Sequence, residues 1–156
     1  MDQQLHTKQK TLDHYAILAD MFDYPDSSYP ERVRRVQKLL EESYTEAGGL
    51  LKDFTAFVSD TTLNEQEELF TRSFEVQAAT TLDIGYLLFG DDYKRAQLLV
   101  NLNREHNEVK NDCRNELADH LPNVLRLIPR IKKKQELVEE LADKMIAPAL
   151  RKMIDE

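Results

Sequence analysis

The chain has 156 residues, 41% of them hydrophobic, with only 4 glycines and 5 prolines, which fits one folded domain and excludes a loop-rich or disordered chain. A domain near this length buries roughly 68–70% of its unfolded surface and needs no covalent or metal staple; its single cysteine excludes an intrachain disulfide framework and fits a reducing compartment. The 29 acidic against 21 basic residues, a formal net charge of −8, argue against a nucleic-acid partner, because phosphate binding needs cationic surface. The longest apolar run, Ile84 to Phe89, is far too short to span a bilayer. Met1-Asp2-Gln3-Gln4 has neither the cationic lead nor the apolar stretch of a secretory signal. The expectation is a cytoplasmic protein with no membrane insertion.

Apolar residues recur at spacings of three and four, the helical period. Leu12, Tyr15, Ala19 and Phe22 form one stripe with Leu18 beside it, and Tyr24-Pro25 is expected to stop that helix. Ser28-x-x-Glu31 has the form of a capping box opening a second helix, with Val33, Val36 and Leu40 inward and Gly48-Gly49 at its end. Leu50, Leu51, Phe54, Phe57 and Val58 mark a third. Another capping box, Thr62-x-x-Glu65, opens a helix carrying Leu69, Phe70 and Phe74. Between Ala78 and Phe89 there is some strand character, but no second segment exists to pair with it. That stretch reads as a loop followed by a short buried helix ending at Gly90. Asp91 suits the cap of a long helix through Tyr93, Ala96, Leu99, Val100 and Asn103. Residues 111–118 read as a loop. Asp119 then caps a helix with Leu121, Val124, Leu125 and Ile128 inward, where Pro122 is tolerated in the first turn. A last helix runs from about Lys133 to the end, kinked at Pro148. The expected fold is all-α, a single compact bundle of six or seven helices over residues 1–156, with 1–10 the part open to disorder.

Catalytic signatures are missing. The chain has no Gly-rich phosphate loop, no Gly-x-Ser-x-Gly elbow and no Cys-x-x-Cys. Glu-x-x-His, which would put two metal ligands on one helix face, is also absent. His106, Cys113 and His120 are spaced by seven, which matches none of the usual zinc spacings. Cys113 lies next to charged residues in a polar loop, with no adjacent histidine or cationic helix end to activate it, and reads as an incidental thiol. The chain reads as a non-enzyme, with no metal and no cofactor of its own.

The informative stretch is Asn111 to Pro122, where Glu116, Asp119 and His120 surround one loop-to-helix turn. On the residues alone, Asp119 is a helix cap, Glu116 a solvated side chain and His120 an exposed first-turn residue. Glu116-Leu117-Ala118-Asp119-His120-Leu121-Pro122 also resembles the Glu-Leu-Pro-Asp-His-Leu-Pro motif of the nitrate reductase delta-subunit chaperones, a branch of the molybdoenzyme assembly chaperones. Three further segments resemble that family in order. They are Tyr24-Pro25-Asp26, Leu69-Phe70-x-x-x-Phe74 for its Tyr-x-x-x-Phe, and Gly90-Asp91-Asp92-Tyr93-Lys94-Arg95 for the segment opening its central helix. Ala118 stands at the motif proline and Ala96 where the family often has glycine. The similarity spans about residues 12–128.

The resemblance implies a non-catalytic cytoplasmic chaperone, and a monomer or weak dimer is expected. Its partner is the molybdenum-binding catalytic subunit of a nitrate reductase-like enzyme, bound through that subunit's N-terminal peptide. The apoenzyme is held while molybdenum cofactor is inserted and subunits dock. The residue chemistry is compatible with this role. A basic amphipathic peptide needs an apolar groove edged with carboxylates, and a net acidic surface speeds the encounter. Phe70, Phe74, Tyr86 and Leu121 are candidate groove walls, with Pro122 beside them, although large apolar residues at helical spacing also serve as ordinary core. Glu116, Asp119 and Glu75 are candidates to meet cationic heads, and His120 is a contact whose charge can change near neutrality. Arg95 either faces the peptide or bridges internally to Asp119 or the Asp91-Asp92 turn. The basic cluster Arg126, Arg130, Lys132, Lys133 and Lys134 reads first as helix C-terminal cations favoured by the dipole. The alternative function is a helical adaptor or regulatory subunit held in a stable complex.

Overall fold

The computed structural model describes residues 2–156, leaving aside the side chains of residues 5–7. In chain order the helices are α1 (Asp2–Asp20), α2 (Tyr29–Ser43), α3 (Thr45–Asp60), α4 (Leu63–Phe74), α5 (Ile84–Phe89), α6 (Tyr93–Glu108) and α7 (Leu121–Leu127). A 3₁₀ turn (Ile128–Arg130) follows, then α8 (Gln135–Glu140), a π-helical stretch (Leu141–Ile146) and α9 (Ala147–Asp155). The last three run on without a break, so the fold is all-α with eight rods among the described residues. The count is one above the expected six or seven, and the short helix expected before Gly90 and the helix expected to carry Leu121 are both present, as α5 and α7. No helix among the described residues is long and apolar enough to cross a membrane. Residues 2–10 belong to α1.

The short α7 is the hub. Leu121, Pro122, Asn123, Val124, Leu125 and Leu127 are all buried, as a helix apolar on nearly every face requires. It packs chiefly on α1. With Leu82, Ile84, Leu102, Val138, Leu141 and Ile146 it forms the main core. A smaller core of Tyr29, Val33 and Val58 joins α2 to α3, flanked by the partly buried Met21, Phe54 and Phe57.

Local signals behave unevenly. Thr62 and Glu65 form the reciprocal capping box of α4. Ser28 sits at the α2 cap position but forms no side-chain cap. Its hydroxyl donates instead to Asp26 Oδ1 at 2.5 Å, and Glu31 accepts from Arg34 at 2.9 Å. Gly48-Gly49 does not end α2, which stops at Ser43. Gly48 lies in the first turns of α3, where a Cβ would come within 2.9 Å of the Glu41 backbone nitrogen. Its missing side chain lets α3 close on α2. Leu50, one of the residues that mark this helix, is 81% exposed. Gly90 ends α5 with φ of 59°, a conformation that suits glycine. The cap of α6 is Asp92, not Asp91, its carboxylate accepting from the Lys94 N–H. The disturbance expected at Pro148 takes the form of the π-helical turns just before it, where the proline ring and missing N–H prevent ordinary pairing.

Candidate functional site

Two chain segments far apart in sequence meet beneath a groove. Ile84 N–H donates to Asp119 C=O at 3.1 Å, and Leu121 N–H to Leu82 C=O at 2.8 Å. This makes one antiparallel bridge between Asp83 and His120. The side chains continue the link. Arg95, from the first turn of α6, donates from Nε to Asp119 Oδ2 at 3.0 Å and from Nη2 to Asp83 Oδ2 at 3.4 Å. His120 Nδ1 lies 3.0 Å from Asp83 Oδ1 and 3.8 Å from Glu116 Oε2. The hydrogen bond from His120, aided by the charges of His120 and Arg95, holds the Asp83 carboxyl below its ordinary range despite partial burial. Hydrogen bonding to Asp119 raises Arg95 above its ordinary value, so this guanidinium stays charged. Gly85 is required here because a Cβ would run into Asp119 Oδ2.

The loop before His120 is moulded from inside. His106 is buried, its Nε2 2.9 Å from Ala118 C=O and its Nδ1 3.0 Å from Asn111 Nδ2. Asn111 Nδ2 also donates to Asn123 C=O at 3.0 Å, which fixes the amide as a donor. His106 Nδ1 must therefore accept, and the ring is neutral with its proton on Nε2. Burial holds its pKa below the ordinary value, opposed by the bond to Ala118. Asn123 Nδ2 in turn donates to Leu117 C=O at 3.0 Å and Cys113 C=O at 3.3 Å. Burial pushes the Cys113 thiol up, with Asp112 adding to the effect, which makes it a weak nucleophile.

The opposite wall comes from the end of α1 and the start of α2. Arg126 of α7 donates to Asp20 Oδ1 at 2.8 Å and makes a short contact with Asp23 Oδ2. Arg32 Nη1 donates to Asp20 C=O at 2.7 Å, and its Nη2 to Tyr24 C=O at 3.0 Å. Tyr24 meets Phe70 edge-to-face at 5.4 Å, and Phe70 meets Phe74 at 5.0 Å. Between the walls lies an open cavity of about 940 Å³, lined by seven carboxylates against four guanidinium groups, with Tyr24, Phe70 and Phe74 as its aromatic surface.

The expected site residues separate into two groups. Glu116, His120, Phe70, Phe74 and Glu75 line the groove. Asp119, Leu121 and Pro122 do not. Asp119 and Leu121 are 0% exposed, and Pro122 is also fully enclosed. That corrects the expectation that Asp119 meets cationic heads and Leu121 forms a wall, since Arg95 already occupies the Asp119 carboxylate. It also corrects the helix cap, which is His120 without a side-chain bond. Arg95 takes the internal bridge to Asp119. Tyr86, 46% exposed, lies outside the groove with Arg95 5.5 Å from its ring centroid.

Sequence reasoning missed Asp20, Asp23, Asp26 and Asp83, which also line the groove. A signal was present. Asp20-x-x-Asp23-x-x-Asp26 puts carboxylates at a helix C-terminus, where the dipole opposes them, and such a local conflict needs a partner elsewhere. The basic cluster is dispersed. Arg126 belongs to the groove wall, Arg130 donates to Val109 and Lys110 carbonyls after α6, and Lys134 pairs with Glu105 and Glu108.

Fold and site together define an all-helical protein with an acid-rich, aromatic-walled groove, and among the described residues no cluster of three or more potential metal ligands. Comparison with models of known protein families and with curated proteins gives no match.

Proposed function

We propose that this protein is an assembly chaperone for a molybdoenzyme of the nitrate reductase type. It receives the N-terminal peptide of the catalytic subunit in the acidic groove and holds the apoenzyme during cofactor insertion and subunit docking. The observation that carries this reading is convergence. Tyr24 and Asp26, Phe70 and Phe74, and Glu116 and His120 come from three separated motif-like segments and line one cavity. The fourth segment supplies Arg95, which ties down the floor beneath them. Surplus carboxylates attract a basic peptide and set its orientation, while the aromatic wall supplies the contact area that holds it. Nothing in the groove favours chemistry instead. Among the described residues no hydroxyl or thiol is hydrogen-bonded to His120, and the half-buried Cys113 thiol, its pKa pushed up, is a poor nucleophile.

The test is calorimetry with a synthetic peptide from the N-terminus of the client's catalytic subunit. Binding with favourable enthalpy and a negative heat-capacity change is expected, weakening as salt screens the carboxylates. Glu116→Lys, at an exposed groove edge, should lower affinity several-fold at low salt while leaving the thermal midpoint unchanged. No heat and no competition at any salt concentration would reject the proposal. A tagged pull-down from the native host under anaerobic respiration should capture the large subunit. Retention of this chain in the mature enzyme would favour an adaptor instead.

A further inference from the structure

Phe22, Phe70 and Phe74 line not only the acidic groove but also a second cavity of about 220 Å³, walled mainly by Met21, Tyr29, Phe54, Phe57 and Val58. The three shared rings stand between the two spaces and make them neighbours. The smaller one is apolar, and its packing is incomplete. Only Tyr29, Val33 and Val58 are buried in this satellite core, while Met21, Phe54 and Phe57 keep apolar surface uncovered. Gln66 also lines it, 4% exposed, with an amide oxygen that has no hydrogen-bond partner among the described residues, an uncommon state for a buried polar atom. An apolar cavity of about 150 Å³ already holds a benzene ring, so this one has room for a phenyl or branched aliphatic side chain.

We infer that this cavity is a specificity socket. It takes one bulky apolar side chain from a peptide whose neighbouring cationic residues lie in the acidic groove. The inference rests on the peptide-binding reading and adds to it the chemistry of the bound segment. The occupant follows from charge and adjacency. Seven carboxylates against four guanidinium groups select a cationic chain, and the shared phenylalanine wall sets the apolar side chain next to those cations. Charge steers and orders the segment, and burial of the apolar group in an apolar-lined pocket supplies discrimination.

The test uses three short synthetic peptides and fluorescence anisotropy with the full-length protein. The first carries three lysines and one phenylalanine, the second replaces phenylalanine with serine, and the third replaces the lysines with serine. The first should bind at least about tenfold tighter than the second, a ratio set by burying one aromatic side chain, and tighter than the third. In Ser73→Leu, which extends a side chain into the socket wall, the phenylalanine preference should fall to about twofold or less. Circular dichroism and the thermal midpoint check that this variant folds, and the peptide comparison on the unaltered protein stands whatever they show. Equal affinity for the first two peptides overturns the socket while the acidic-groove reading survives. Equal affinity for the first and third overturns the coupling of socket to groove. Binding of none removes the groove reading and the socket with it.

Discussion

The floor and the wall of the groove are built from the same parts, one guanidinium and two aspartates, yet they do different work. On the floor, Arg95 holds Asp119 and Asp83, and the Asp119 side chain is 0% exposed. On the wall, Arg126 holds Asp20 and Asp23, whose side chains remain 30% and 25% exposed. A charge taken wholly out of water is costly unless its partner stays in place, whereas a part-exposed pair is replaced by water when broken. The floor therefore sets the shape of the site, and the wall sets its electrostatic potential.

The largest expected effect breaks the floor. Arg95→Ala leaves Asp119 enclosed and uncompensated and should cost roughly 3–5 kcal/mol of stability in urea unfolding. Gly85→Ala forces a methyl group against the same carboxylate and should cost about 1–3 kcal/mol.

Acid comes next. His106 is neutral when folded and its pKa lies below the ordinary 6.5, so the unfolded chain binds a proton that the folded chain refuses. Stability is full above about pH 6.5 and falls as pH drops below it. Urea midpoints at mildly alkaline and mildly acidic pH should show this loss, and His106→Gln should flatten it. Asp83 acts later. Its folded pKa lies below the ordinary 3.8, so its contribution is present above that value and is lost only in stronger acid.

The wall gives the smallest effect. Arg126→Ala should cost about 1 kcal/mol or less. That difference should shrink further in high salt, while the Arg95→Ala penalty persists. Equal penalties and equal salt dependence for the two arginines would erase the distinction between floor and wall.

The capping motifs show how far local pattern reaches. Thr62 and Glu65 close a reciprocal box because nothing nearby competes for either side chain. Ser28 and Glu31 have the same spacing but form none, because Asp26 captures the serine hydroxyl and Arg34 the glutamate. Asp119 fails as a cap for a longer-range reason, since Arg95, twenty-four positions away, takes its carboxylate. Of the candidate site, Glu116, His120, Phe70 and Phe74 were legible as chemistry-bearing residues near helix ends. The groove acids Asp20, Asp23 and Asp83 were not, because carboxylates near a turn look solvated until another element approaches.

By itself the sequence determined the all-α class, most helices and their inward faces. Periodicity and the ending of a helix at Gly90 depend on contacts within a few residues, which a one-dimensional pattern records. Tertiary structure alone decided which buried faces meet, where the groove opens, and which acids are sealed beneath it and which line its walls. An apolar stripe shows that a face must be covered but not by what, and a carboxylate keeps or loses its water only when another element arrives.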